Sequence, residues 1–156
     1  LYGPGDSFDP QNSHVIPGLI QKIHKAKQEK NKSITLWGTG SPLREFLYVD
    51  DLASACVFIM NIDDELFDKA MNFKYAHINV GSGKEMTIKE VAKAVKKMVG
   101  FKGEIIFDST KPDGQLLRYS NIDKLLDVKF SPAFDLKRGI TETHQWLLDN
   151  FDTARF

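Results

Sequence analysis

Apolar residues recur along the chain at two spacings, and each spacing predicts an element. Val15, Leu19, Ile20 and Ile23 follow the 3.6-residue period of a helix with one buried face. Ser13 is placed to cap that helix, and Pro17 falls in its first turn, where a missing N–H costs little. Ile34 and Leu36 alternate with polar neighbours in a short strand ended by Gly38 and Gly40. A second helix is predicted from Asp50, with Leu52, Ala55, Cys56, Ile59 and Met60 on its buried face. Residues 77–80 (HINV) read as a strand closing on Gly81-Ser82-Gly83. Thr87 and Glu90 form a capping box for a third helix that turns Ile88, Val91, Ala92, Val95 and Val99 inward and stops at Gly100. Another strand covers 105–107. After the turn Lys111-Pro112-Asp113-Gly114 come a short helix near 122–126 and a final one near 135–150. Helices alternating with short strands place the chain in the α/β class.

Composition narrows the partners. At 156 residues the chain suits one domain with a real core. Twenty-one basic residues balance twenty-one acidic ones, so no overall field draws it to nucleic acid or to anionic lipid. The lysine-rich stretch 25–32 carries no interleaved aromatics and reads as a solvated helix end, not a nucleic-acid platform. The longest apolar runs, such as 53–60, fall far short of a membrane span. Cys56 stands alone and cannot form an internal disulfide, and its neighbours Ala55, Val57 and Phe58 read as core. No signal-like segment opens the chain, so the expected compartment is the cytoplasm.

Four clusters hold polar or aromatic residues that packing does not require. Asn12-Ser13-His14 stands at a helix start, where a histidine can carry a proton near neutral pH or simply satisfy the loop. In the string 37–46 (WGTGSPLREF), Trp37 can stack on a planar base, and the Arg44 fork can hold a diphosphate bidentately. The opposing reading is a core tryptophan and an Arg44–Glu45 surface pair. Asp50 and Asp51 suit the start of a helix, Asp50 as the cap and Asp51 in the first turn. Asp113 sits in a turn, where its carboxylate can accept from ribose hydroxyls, with Arg118 within reach of a phosphate. No nucleophile triad is evident, and the scattered histidines have no metal-ligand spacing; His24, His77 and His144 read as structural or exposed.

The strings LYGPGDSFDPQNSHVIP, WGTGSPLREFLYVDDLA, HINVGSG and KPDG together resemble the GDP-L-fucose synthases, epimerase–reductases among the extended short-chain dehydrogenases. The likeness runs from Leu1 to about residue 150. It implies a substrate-binding domain over 1–156, with a cofactor-side loop (1–13) and a strand (77–83) that completes a Rossmann-like sheet. It implies a GDP-keto-sugar substrate, NADP as cofactor, a homodimer for the whole enzyme, and no nucleic-acid, membrane or metal partner. By the same resemblance His14 is the acid of the epimerisation and lies beside the nicotinamide, and Leu1 ends a loop that touches the cofactor. Lys22, where the family usually has an arginine, lies near the substrate. Trp37 and Arg44 hold the guanine nucleotide and its diphosphate, and Asp113 and Arg118 line the substrate pocket, so that Trp37, Arg44 and His14 converge on one cleft. The family's DGTPRK stretch reads here Asp113-Gly114-Gln115-Leu116-Leu117-Arg118, a departure that keeps open an epimerase or reductase of another GDP-keto-sugar. No glycine-rich dinucleotide turn and no Tyr-x-x-x-Lys pair occurs in the chain. The resemblance therefore implies the C-terminal half of the enzyme, inactive alone; a non-catalytic nucleotide-sugar module is the remaining alternative.

Overall fold

The structure is a computed structural model and describes residues 1–71 and 77–156. Three amphipathic helices, α1 (Val15–Gln28), α4 (Ile88–Val99) and α6 (Leu136–Asp149), carry most of the core. Ile16, Leu19, Ile20 and Ile23 of α1 meet Val91, Ala92, Val95 and Val99 of α4 and Ile140 and Leu147 of α6. Ile34 and Leu36 of β1 (Ser33–Trp37) join that cluster, and β1 pairs in parallel with β4 (Glu104–Asp108). The class is α/β.

A second sheet was not predicted. Its middle strand β2 (Leu43–Glu45) lies antiparallel to β3 (Glu85–Thr87) and parallel to β5 (Leu117–Arg118). Strands of two or three residues are too short to show a two-residue period. The remaining helices are α2 (Val49–Asn61), α3 (Asp64–Ala70) and α5 (Asp123–Asp127), of which α3 was also unforeseen. The α4 ends match expectation closely: Thr87 and Glu90 close the capping box, and Gly100 ends the helix in the left-handed conformation.

Four expectations are corrected. The cap of α1 is His14, not Ser13. Asp9 accepts from the Gln11 and Asn12 amides, and the Ser13 amide donates to the Asp9 carbonyl, so Ser13 belongs to the loop's own turn. On α2, Asp50 does not cap; the helix starts at Val49 with Tyr48 as N-cap. Its buried residues are Asp51 and Ala55, while Cys56 is exposed and Met60 is 84% exposed. Residues 51 and 55 lie on one line of the helix and 56 and 60 on the next, about 100° round. The inward line is set by the Asp51 carboxylate, which accepts from the Ala133 and Phe134 amides at 2.8 and 3.1 Å. Finally, 77–80 form no strand. No described strand pairs with them, and they are tied by Lys124 Nζ to the His77 carbonyl and Asn79 Nδ2 to the Asn121 carbonyl.

The loop before α1 is a built structure. Tyr2 bridges to Tyr48, Ser7 to Arg155, and the Phe8 side chain is fully buried. That loop presents Leu1 and His14 toward β2. Among the described residues no helix is long and apolar enough to cross a membrane, and no three metal-ligating side chains group together.

Candidate functional site

Two cavities meet at the start of α1. The larger, about 570 Å³, runs between α1 and β1 and includes His14, Lys22, Ser33 and Leu36. The second, about 400 Å³, is bounded by Leu1, His14, Arg44, Phe46, Arg118 and Tyr119. His14 and Val15 belong to both walls. His14 is exposed there, and as the N-cap of α1 it makes no side-chain capping hydrogen bond. Among the described residues its ring makes no hydrogen bond.

The second cavity owes its charge to strand register. Arg44 and Arg118 are direct partners across the parallel β2–β5 pair, so both side chains stand on one face. Strands lie about 4.8 Å apart, and like charges so placed repel. Arg44 donates through Nη1 to the Leu43 carbonyl at 2.7 Å. The ion pairs among the described residues are Lys25–Glu29 and Arg138–Glu142, and neither involves these arginines. The nearest acid in sequence, Glu45, does not pair with Arg44 as a surface bridge; its carboxylate accepts from two backbone amides, Gly83 at 2.7 Å and Ser120 at 3.0 Å. Two guanidinium groups with no ion-pair partner share this cavity with His14 and the Glu45 carboxylate, an arrangement that can receive an anion.

A third group lies beside this cavity. Trp37 ends β1 with 74% of its surface exposed and lines neither cavity, although the adjacent Leu36 lines the larger one. The expected convergence of Trp37 with Arg44 and His14 is thus only partial, because the strand's alternation turns Leu36 inward and Trp37 out. Lys111 Nζ stands 5.9 Å from the indole centroid. Asp113 accepts from Thr39 N at 2.9 Å and from Thr39 Oγ1 at 2.6 Å, clasping the 111–114 turn onto the Gly38–Thr39 turn. Gly38 has φ +78°, and a Cβ there would meet the Asp113 carboxylate, so the clasp requires glycine. A Cβ on Gly114 would lie 3.2 Å from Arg44 Nη2, which puts this turn next to the anion site.

The structure therefore joins Leu1, His14, Arg44 and Arg118 in one cavity and His14 with Lys22 in another, and it leaves Trp37 and Asp113 in a flanking cluster. Sequence reasoning placed Phe46 and Lys111 inside its candidate clusters without giving them a role, and it missed Tyr119 as a site residue. A run of consecutive polar and aromatic residues around a short strand is the only signal that could have pointed to it.

The model of the NAD dependent epimerase/dehydratase family matches residues 1–81. The chain is 48% identical over 150 residues to the putative GDP-L-fucose synthase 2 of Arabidopsis thaliana, covering 96% of this chain and 43% of that protein. A GDP-L-fucose synthetase from Naegleria fowleri, bound to NADP, superposes with a TM-score of 0.83 at 33% identity, over 99% of this chain and 46% of that one. A GDP-6-OMe-4-keto-L-xylo-heptose reductase from C. jejuni gives 0.82 at 32%, over 96% and 51%. The chain spans about half the length of the curated relatives it matches. With a matched model over half its residues and an α/β fold shared with these proteins, the chain belongs to the NAD dependent epimerase/dehydratase family.

Proposed function

We propose that the chain is the substrate-binding half of a GDP-L-fucose synthase, which epimerises GDP-4-keto-6-deoxy-D-mannose at C3 and C5 and reduces its ketone with NADPH. The observation that carries this reading is the Arg44–Arg118 pair facing His14 across one cavity. The identity to GDP-L-fucose synthases along nearly the whole chain supports it.

The arginine pair takes the diphosphate, whose charge relieves the repulsion between the two guanidinium groups. With the diphosphate fixed there, the sugar lies toward His14. A 4-keto group acidifies the C–H bonds on either side of it, so epimerisation needs a proton removed on one face and returned on the other. His14, exposed on the wall that both cavities share, serves as the group that returns it. Lys22 extends the electropositive wall into the larger cavity as a point charge, without the fork an arginine would provide. Trp37, exposed on its strand end, offers a stacking face for the base.

NADPH supplies the hydride for the reduction when it is bound. The residues present fit one edge of it: Leu1 and His14 also line a shallow cavity of about 220 Å³ with Tyr2, Gly3 and Val49, an apolar ledge suited to the face of a nicotinamide ring. Leu1 and His14 would orient that ring, and nothing else in the 156 residues holds the dinucleotide's phosphates through a glycine-rich turn.

The test is calorimetry of the folded chain with GDP and with UDP. GDP is expected to bind and UDP to bind more weakly; equal binding, or none of either, overturns the reading. The Gln115-Leu116-Leu117 departure favours a second reading, another GDP-keto-sugar as substrate, which the product formed by the whole enzyme would decide.

A further inference from the structure

We infer that Glu45 is the positioning residue of the anion site, a carboxylate that ties three strands' loops together so that Arg118 is held against Arg44. This rests on the proposed function for the identity of the anion and deepens it. The Glu45 side chain is half-buried at the end of β2, directly after Arg44. One oxygen accepts from Gly83 N at 2.7 Å, in the loop before β3, and the other from Ser120 N at 3.0 Å, two residues after Arg118.

The ladder alone does not fix Arg118. Strand β5 has only two residues, and Arg118 is the last of them. Beyond it the chain would fray from the sheet edge, as short terminal strands do. The Ser120 bond pins the far side of Arg118–Tyr119, so the arginine lies between two anchors, its ladder partner and the Glu45 carboxylate. The Gly83 bond pins Glu45 in turn. Gly81 completes the arrangement, since a Cβ there would run into the Glu45 carboxylate. Both oxygens accept from backbone amides, and Glu45 forms no ion pair with its neighbour Arg44. It lines the same cavity, and its effect on the anion passes through Arg118.

The experiment compares the 156-residue chain with Glu45→Gln, whose amide nitrogen cannot accept a hydrogen bond. The readouts are amide exchange at Gly83 and Ser120 without ligand, and affinities for inorganic pyrophosphate, GDP and guanosine. The expected result is lost protection at one or both amides, pyrophosphate and GDP weakened about tenfold or more, and guanosine unchanged. A merely structural role would weaken guanosine and GDP alike, and that outcome overturns the inference. So does unchanged protection at both amides, or a wild-type chain that binds no pyrophosphate. If pyrophosphate binds normally while GDP and UDP are not distinguished, the functional reading fails and the Glu45 inference is still judged on the pyrophosphate arm. Should Glu45→Gln not fold, Gly81→Ala displaces the carboxylate from the opposite side and is expected to give the same pyrophosphate loss; full pyrophosphate affinity there counts against the inference.

Discussion

Arg118→Gln should make the chain more stable and a worse ligand binder at once. Arg118 is exposed, at a strand end, and buries little on folding, so its removal sacrifices almost no packing. What it removes is repulsion from Arg44. With strands about 4.8 Å apart and long side chains, the charges stand roughly 6–8 Å apart. At an effective dielectric of 40–80 that repulsion is about 0.5–1.4 kcal/mol before screening. The Debye length of about 30 Å at 0.01 M salt leaves most of it, and about 3 Å at 1 M leaves almost none. For a chain of this size 1 kcal/mol corresponds to about 2–4 °C in Tm. Thermal melts at 0.01 M salt should therefore show the variant up by about 1–4 °C, with the gain vanishing at 1 M. Against this, losing one charge-assisted contact to a diphosphate costs about 1.5–3 kcal/mol, or roughly 10–150-fold in GDP affinity by calorimetry. A variant that melts lower at every salt concentration, or binds GDP as well as wild type, would refute the assignment of the two arginines as a mutually repelling cation pair that receives the diphosphate.

Three further outcomes follow from other parts of the fold. Asp51→Ala removes the acceptor of the Ala133 and Phe134 amides; Ala133 is exposed and its amide can turn to water, so at about 1–3 kcal/mol per unsatisfied buried group urea unfolding should show a loss of about 1–3 kcal/mol; a loss below about 0.5 kcal/mol contradicts that role. His24 Nδ1 and His144 Nε2 lie 3.2 Å apart; burial holds both rings below the ordinary 6.5, His144 at about 4. The unfolded chain takes up protons below 6.5 that the folded one does not, so stability should fall between pH 6.5 and 4, by about 1–2 kcal/mol for the half-buried His144 after allowance for solvent screening, and His144→Phe should flatten the profile in that window. Asp113→Ala opens the clasp on Thr39, which should raise the mobility of Trp37, read as lower fluorescence anisotropy, and weaken GDP several-fold; unchanged anisotropy contradicts the clasp.

What the sequence disclosed depended on element length. The α4 helix was legible down to its capping box and its glycine stop, because twelve residues hold three turns of period and both end signals. The α1 face was legible and its cap was not, since Asp9 draws Ser13 into a turn that hydrophobic periodicity does not register. The α2 face was read about 100° off because a buried carboxylate, not an apolar side chain, leads it inward. The β2–β3–β5 sheet left no pattern at all, and with it went the fact that Arg44 and Arg118 are neighbours. Motif resemblance supplied the names of the site residues, but their arrangement came from the register of strands two and three residues long.

That register also answers how a chain with equal numbers of acids and bases keeps an electropositive cavity. Three carboxylates, of which only Glu45 lines the cavity, are each committed to donors from a distant segment. Asp51 takes the amides at 133 and 134, Glu45 those at 83 and 120, and Asp113 the amide and hydroxyl of Thr39. A carboxylate that accepts two short bonds from N–H and O–H groups is stabilised where it stands, and turning toward a guanidinium would abandon those two. Neutralising Arg44 or Arg118 from within would therefore cost more than a surface ion pair returns. These three acids hold loops, Arg44 and Arg118 form no ion pair among the described residues, and the two guanidinium groups at the cavity outnumber its one carboxylate, Glu45, although the chain's total is zero. An exogenous dianion of diphosphate geometry is the group that can satisfy both arginines without breaking any of those clamps.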